Sequence, residues 1–130
     1  MRIRYLTNTA VLVAGAFLVV ASQAFALSTF MWLMFGCGIG ALALGAASAT
    51  TGGVLRRGLD GAISVLGAWT IVASMVFAGA TVTWLGFAAG IGLFALAMAG
   101  LTLNELRTER VVHSLEVSGT PLRGEFAGSR

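Results

Sequence analysis

Apolar and polar positions fall in long blocks along this chain, with no helical or strand period that would mark a water-facing surface. No charge interrupts the run from Tyr5 to Val54, and a second uncharged run covers Gly61 to Asn104. A helix rises ~1.5 Å per residue and needs ~20 apolar residues to cross ~30 Å of hydrocarbon. Each run is therefore long enough for two crossings joined by a tight turn. The pattern predicts spans over Asn8–Ala26, Phe30–Ala49, Gly61–Gly79 and Val82–Leu103. Around them lie an arm (residues 1–7), an arginine-containing loop (51–60) and a tail (104–130) that turns flexible after Thr120-Pro121. The fold class expected is an all-α integral membrane protein with four transmembrane helices.

The blocks also repeat. Sliding the sequence by 52 positions aligns residues 4–50 with 56–102 without a gap. Identical pairs include Arg4/Arg56, Gly15/Gly67, Ser22/Ser74, Phe25/Phe77, Thr29/Thr81, Trp32/Trp84, Phe35/Phe87 and Gly38/Gly90. Biased composition produces chance Ala and Gly matches, but not Trp, Phe, Ser, Thr and Arg in one register. The expected architecture is two tandem two-helix hairpins, residues 8–50 and 61–103, related by an axis along the membrane normal. Asn8 aligns with Asp60, and both residue types are preferred N-caps, so each is expected to cap the first helix of its hairpin.

Charge then orients the spans. The eight basic residues are all arginine, and they avoid the short turns inside the hairpins. Arg2 and Arg4 lie in the arm, Arg56 and Arg57 in the middle loop, Arg107 and Arg110 after the fourth span. The positive-inside rule puts both termini and the middle loop in the cytoplasm, with these arginines at lipid-headgroup level. The location expected is a bacterial cytoplasmic (inner) membrane. An arginine-rich start, an apolar stretch and Ala24-Phe25-Ala26 also fit a cleaved signal peptide. The recurrence of that segment at 56–78, where no signal could act, favours a retained span.

Composition agrees: 58% of residues are hydrophobic and 10% charged, against about a quarter charged in soluble domains, and mean hydropathy is +0.93. The net charge of +3 comes without a basic stripe interleaved with aromatics, so nucleic acid is not an expected partner.

These residues resemble the Ser-Pro-Trp (SPW) repeat family of small bacterial membrane proteins, whose unit is a pair of transmembrane helices. The likeness is carried by Asp60, Gly67-Ala68-Trp69, Ser74, Trp84 and Gly90, and in the first copy by Gly15-Ala16-Phe17, Ser22, Trp32 and Gly38. The name-giving motif reads Ser22-Gln23-Ala24 and Ser74-Met75-Val76 here. The resemblance implies architecture and no reaction.

Little chemistry is expected of the remaining motifs. Gly36, Gly38 and Ala41 spell G-x-G-x-x-A, a dinucleotide fingerprint that needs a preceding strand and an exposed turn. Here it sits mid-span, and its aligned copy reads Ala88, Gly90, Leu93. A packing role explains it better: Gly36/Gly40 and Gly86/Gly90 are G-x-x-x-G pairs, and Gly38 and Gly92 extend the small-residue surface on which membrane helices approach. Such surfaces serve packing inside the chain, a homo-oligomer or a different protein. Trp32 and Trp84 open the second helix of each hairpin and are expected as interfacial anchors. Ser22, Ser74 and Thr70 are expected to bond their own helix backbone, and Gln23 to reach water.

Cys37 stands alone mid-span, and His113 stands alone in the tail without ligand partners, so neither metal nor cofactor is expected. No Asp, Glu, Lys, Arg or His falls inside the four predicted spans, although proton relays and coupled transporters generally need one. With no nucleophile–base pair or acid pair visible, an enzyme is not expected. The leading expectation is a non-catalytic accessory subunit, in contact with the lipid bilayer, that packs against a larger membrane complex such as a respiratory or transport assembly. The alternative is an oligomeric passive permeation or small-solute unit.

Overall fold

The computed structural model describes the backbone of residues 2–50 and 52–128, and the side chains of 5–50 and 52–114. Four helices follow in order: α1 (Arg2–Ala24), α2 (Leu27–Ala49), α3 (Val54–Val76) and α4 (Ala80–Gly128). Each is long and apolar enough to cross a membrane. The chain divides into two compact units, Met1–Gly100 and Leu101–Arg130.

The helices are longer than the apolar blocks. α1 begins at Arg2 and α3 at Val54, so the expected loop over 51–60 shrinks, among described residues, to Gly52 and Gly53, with Arg56 and Arg57 in the first turn of α3. Asn8 and Asp60 consequently lie inside helices, and neither is an N-cap; Gly53 takes that position for α3, with extended backbone and no side-chain cap. The reason is physical. Loss of hydropathy marks where hydrocarbon ends, whereas a helix ends only where its backbone does. Arginine and leucine are good helix formers, so the ladder continues into the polar layer until a residue breaks it. Gly52 at φ 143° and Gly79 at φ 67° are those breakers, in conformations that side chains disfavour.

The second unit is helical from Leu101 onward. Thr108 Oγ1 donates to the Asn104 carbonyl at 3.0 Å and Ser114 Oγ to that of Val111 at 2.9 Å. Leu106, Val111 and Val112 are exposed. The backbone is helical through Thr120-Pro121; a proline removes one donor from the ladder, and here the helix continues past it.

In the first unit the core is a narrow stripe on each helix. Val11, Gly15, Leu18, Ala21 and Ser22 are buried on α1; Phe30, Met34, Gly38, Ala41 and Gly45 on α2. Adding 52 to each number yields Ile63, Gly67, Thr70, Ala73 and Ser74 on α3, and Val82, Gly86, Gly90, Leu93 and Ala97 on α4, which are buried as well. Aromatic contacts follow the same spacing. Phe17–Phe25 and Trp69–Phe77 both have ring centroids 6.5 Å apart, tilted by 50° and 54°. Trp32–Phe35 and Trp84–Phe87 are edge-on at 6.4 and 6.1 Å. Outside the stripes, bulky apolar residues such as Val13, Phe17, Val65 and Met75 are exposed. Water would penalise such a surface; lipid does not.

α2 packs more extensively on α3 than on α1. That follows from residue size. Gly38, Ala41 and Gly45 bring the α2 backbone close to α3, and in lipid it is van der Waals contact, not the hydrophobic effect, that draws helices together.

Candidate functional site

The six glycines singled out as packing residues separate into two groups. Gly38 belongs to the α2–α3 contact: a Cβ there would lie 2.9 Å from the carbonyl oxygen of Gly67 and 2.8 Å from Ile71 Cγ1. Gly90 belongs to α1–α4, where a Cβ would stand 3.0 Å from the Gly15 oxygen and from Val19 Cγ2. Gly86 makes room for α2, since a Cβ would run into the Phe30 ring and stand 3.2 Å from Met34 Sδ. At Gly92 a Cβ would meet only Leu66 Cδ2, at 2.9 Å. Gly36 and Gly40 meet nothing within 4 Å.

In the first hairpin the G-x-x-x-G pair therefore takes no part in packing among the described residues. Gly36 and Gly40 share a face that points away from the bundle, about half a turn from Gly38. Gly15, Gly45 and Gly67 were missed as packing residues. A Cβ on Gly67 would lie 2.6 Å from the Leu42 amide nitrogen, and one on Gly45 2.8 Å from the Asp60 oxygen. The identity of Gly15 with Gly67 was the available signal for those two, though identity alone does not suffice, since Gly40 and Gly92 are also identical and Gly40 meets nothing.

Several hydroxyls in the helices bond their own backbones, whereas Thr9 Oγ1 is buried with no hydrogen-bond partner among the described residues. Ser22 Oγ donates to the Val19 carbonyl and Ser74 Oγ to the Ile71 carbonyl, both at 2.7 Å. Thr70, fully buried, donates to Leu66 O at 2.7 Å, and Ser64 to Asp60 O at 3.1 Å. Gln23 is exposed, with Nε2 3.5 Å from Ser22 Oγ. The Asn8 side chain sits against Gly100, where a Cβ would be 3.0 Å from its Nδ2.

Trp32 and Trp84 are 77% and 68% exposed, with only their phenylalanine neighbours stacked edge-on. Trp32 and Phe35, with Ser28 and Met31, line one side of an apolar groove of about 370 Å³ that Ser74 and Met75 close from α3. Arg56 is half-buried; Arg57, Arg107 and Arg110 are exposed. The side chains of Arg2 and Arg4 lie outside the described residues. Cys37 is a half-buried free thiol, and His113 is exposed. Among the described residues no three His, Cys, Asp or Glu side chains converge.

The fold thus defines an all-helical chain with four helices capable of spanning a membrane, in keeping with a multi-pass membrane protein. Compared with known proteins, the chain matches no family model, no curated protein and no solved structure.

Proposed function

We propose that this chain is a non-catalytic accessory subunit of a bacterial cytoplasmic membrane, binding a larger membrane complex laterally through the back of α2. The observation that carries this is the open face at Gly36 and Gly40. Glycine inside a helix is less favourable than alanine by about 1 kcal/mol, and at Gly38 or Gly67 a close helix contact compensates. At Gly36 and Gly40 nothing among the described residues does, yet the two stand one turn apart on an outward-facing surface, the geometry membrane helices use to dock. A respiratory or transport assembly is the kind of host that accommodates such a subunit. Both termini are cytoplasmic in this reading, by the arginine distribution.

The two hairpins are read as a duplication. Recurrence of the buried stripes, the aromatic pairs and the Ser22/Ser74 bonds at one spacing supports it. The SPW-like residues lend the same architecture and no activity. The permeation alternative draws no support from the bundle interior, which Phe30, Leu18, Met34, Leu93 and Val11 fill.

Extraction in mild detergent, followed by native mass spectrometry, tests the proposal. Stoichiometric partners are expected, lost in a Gly36→Leu/Gly40→Leu variant that itself remains folded. Recovery of a lone monomer or homodimer from native membranes would refute it.

A further inference from the structure

Three contacts in the first unit share one relation. Gly15 meets Gly90 and Phe94; exchanging each residue for the one 52 positions away turns this into Gly67 meeting Gly38 and Leu42, which is the contact observed. The Gly90–Val19 approach becomes Gly38–Ile71, also observed. The same exchange sends the contact between Met34 and Gly86 onto itself, with the two residues trading places. That reciprocity is the signature of an isologous two-fold interface, here inside one chain, with Met34 and Gly86 on its axis.

Among the buried pairs the largest difference in size lies at the axis. Met34 faces Gly86, and the counterpart of Phe30 is Val82, while the Phe30 ring occupies the space a side chain at 86 would need. Beside this layer Ala21/Ala73, Ser22/Ser74, Leu33/Leu85 and Gly38/Gly90 are identical pairs, while further along the buried stripes Leu18 aligns with Thr70 and Ala41 with Leu93. Two first hairpins placed on this axis would bring two methionines and two phenylalanines into a space that holds one of each, and overfilled cores distort. Two second hairpins would leave Val and Gly around an unfilled gap, forfeiting the contacts that hold helices together in lipid.

We infer that the hairpins form a one-way pair: Phe30 and Met34 of the first fill the room left by Val82 and Gly86 of the second, so each inner face accepts the other hairpin and excludes a copy of itself. The inference rests on the duplication read above.

Transposing the layer in the full-length protein tests it. Thermal unfolding in mild detergent compares V82F/G86M, F30V/M34G and the four-fold variant, which has wild-type composition with the bulk moved to the other half. Each double variant is expected to lose about 5 °C or more in Tm, and the four-fold variant to regain at least half of the larger loss. A four-fold variant no more stable than the worse double, or a double variant as stable as wild type, would overturn the one-way pairing. Gly15→Ala and Gly67→Ala probe the two-fold relation away from the axis and should lower Tm alike. If they do while the transposition fails, the duplication stands and the one-way pairing falls. If they differ, the duplication falls and the inference with it.

Discussion

Gly38 and Gly67 face each other across α2 and α3 with no side chain between them. A Cβ on the first would lie 2.9 Å from the carbonyl oxygen of the second, and a Cβ on the second 2.8 Å from that of the first. Ile71 Cγ1, 2.8 Å from the Cβ position at Gly38, could turn aside, but the two carbonyls are backbone, so the helices must separate to admit a methyl group. Gly38→Ala and Gly67→Ala should each destabilise the bundle by about 1–3 kcal/mol, the range for overpacking. Unfolding of the purified protein in mixed micelles gives the measurement, and wild-type stability in either variant would contradict the contact.

The opposite outcome is expected one face away. A methyl group at Gly36 or Gly40 meets open space, so alanine there should leave the isolated protein unchanged or stabilise it by up to about 1 kcal/mol through helix propensity. Its effect should appear in co-purification, where a partner helix would meet the new methyl. Equal destabilisation at all four glycines would remove the distinction between inner and outer faces.

Hydroxyls at Ser22, Ser74 and Thr70 serve carbonyls that already belong to a helix ladder. Ser22→Ala and Ser74→Ala should therefore cost less than about 1 kcal/mol each, and similarly to one another. Thr70→Val keeps the shape and should fall in the same range. A loss of several kcal/mol at Thr70 would point to a polar role that its Leu66 bond does not supply.

Trp32 and Trp84 sit at matching places near the starts of α2 and α4 and are largely exposed. Variants keeping one of them, with the other tryptophans changed to phenylalanine, should be quenched alike by lipids brominated near the headgroup and poorly by those brominated at the chain end. Preferential quenching from the bilayer centre would exclude an anchoring role.

Topology has its own measurement. A reporter active only in the cytoplasm, fused after the tail, should be active, and one inserted near Gly79 inactive. In the proposed topology Arg56 and Arg57 are the charges that hold the middle of the chain inside; replacing both with glutamine should raise the inserted reporter's misorientation.

Four apolar helices were legible in the sequence because hydropathy and charge add up locally, residue by residue, against a solvent of known thickness. The spacing of Gly15 and Gly67, and of Trp32 and Trp84, was legible for the same reason: identity is a property of the string. Helix ends were less so, as Asn8 and Asp60 illustrate, because the edge of the hydrocarbon and the end of a hydrogen-bond ladder are set by different forces. Which glycines touch was decided only in three dimensions. Gly36, Gly38 and Gly40 are equally small and equally apolar, and a one-dimensional motif favoured the outer two. Their fate depends on the rotation of α2 about its own axis, set jointly by Phe30, Met34, Ala41 and Gly45 meeting residues far away in sequence. Hydropathy marks a helix as able to cross a membrane; only van der Waals fit against α3 and α4 turns Gly38 inward and leaves Gly36 and Gly40 on the outer face of the bundle.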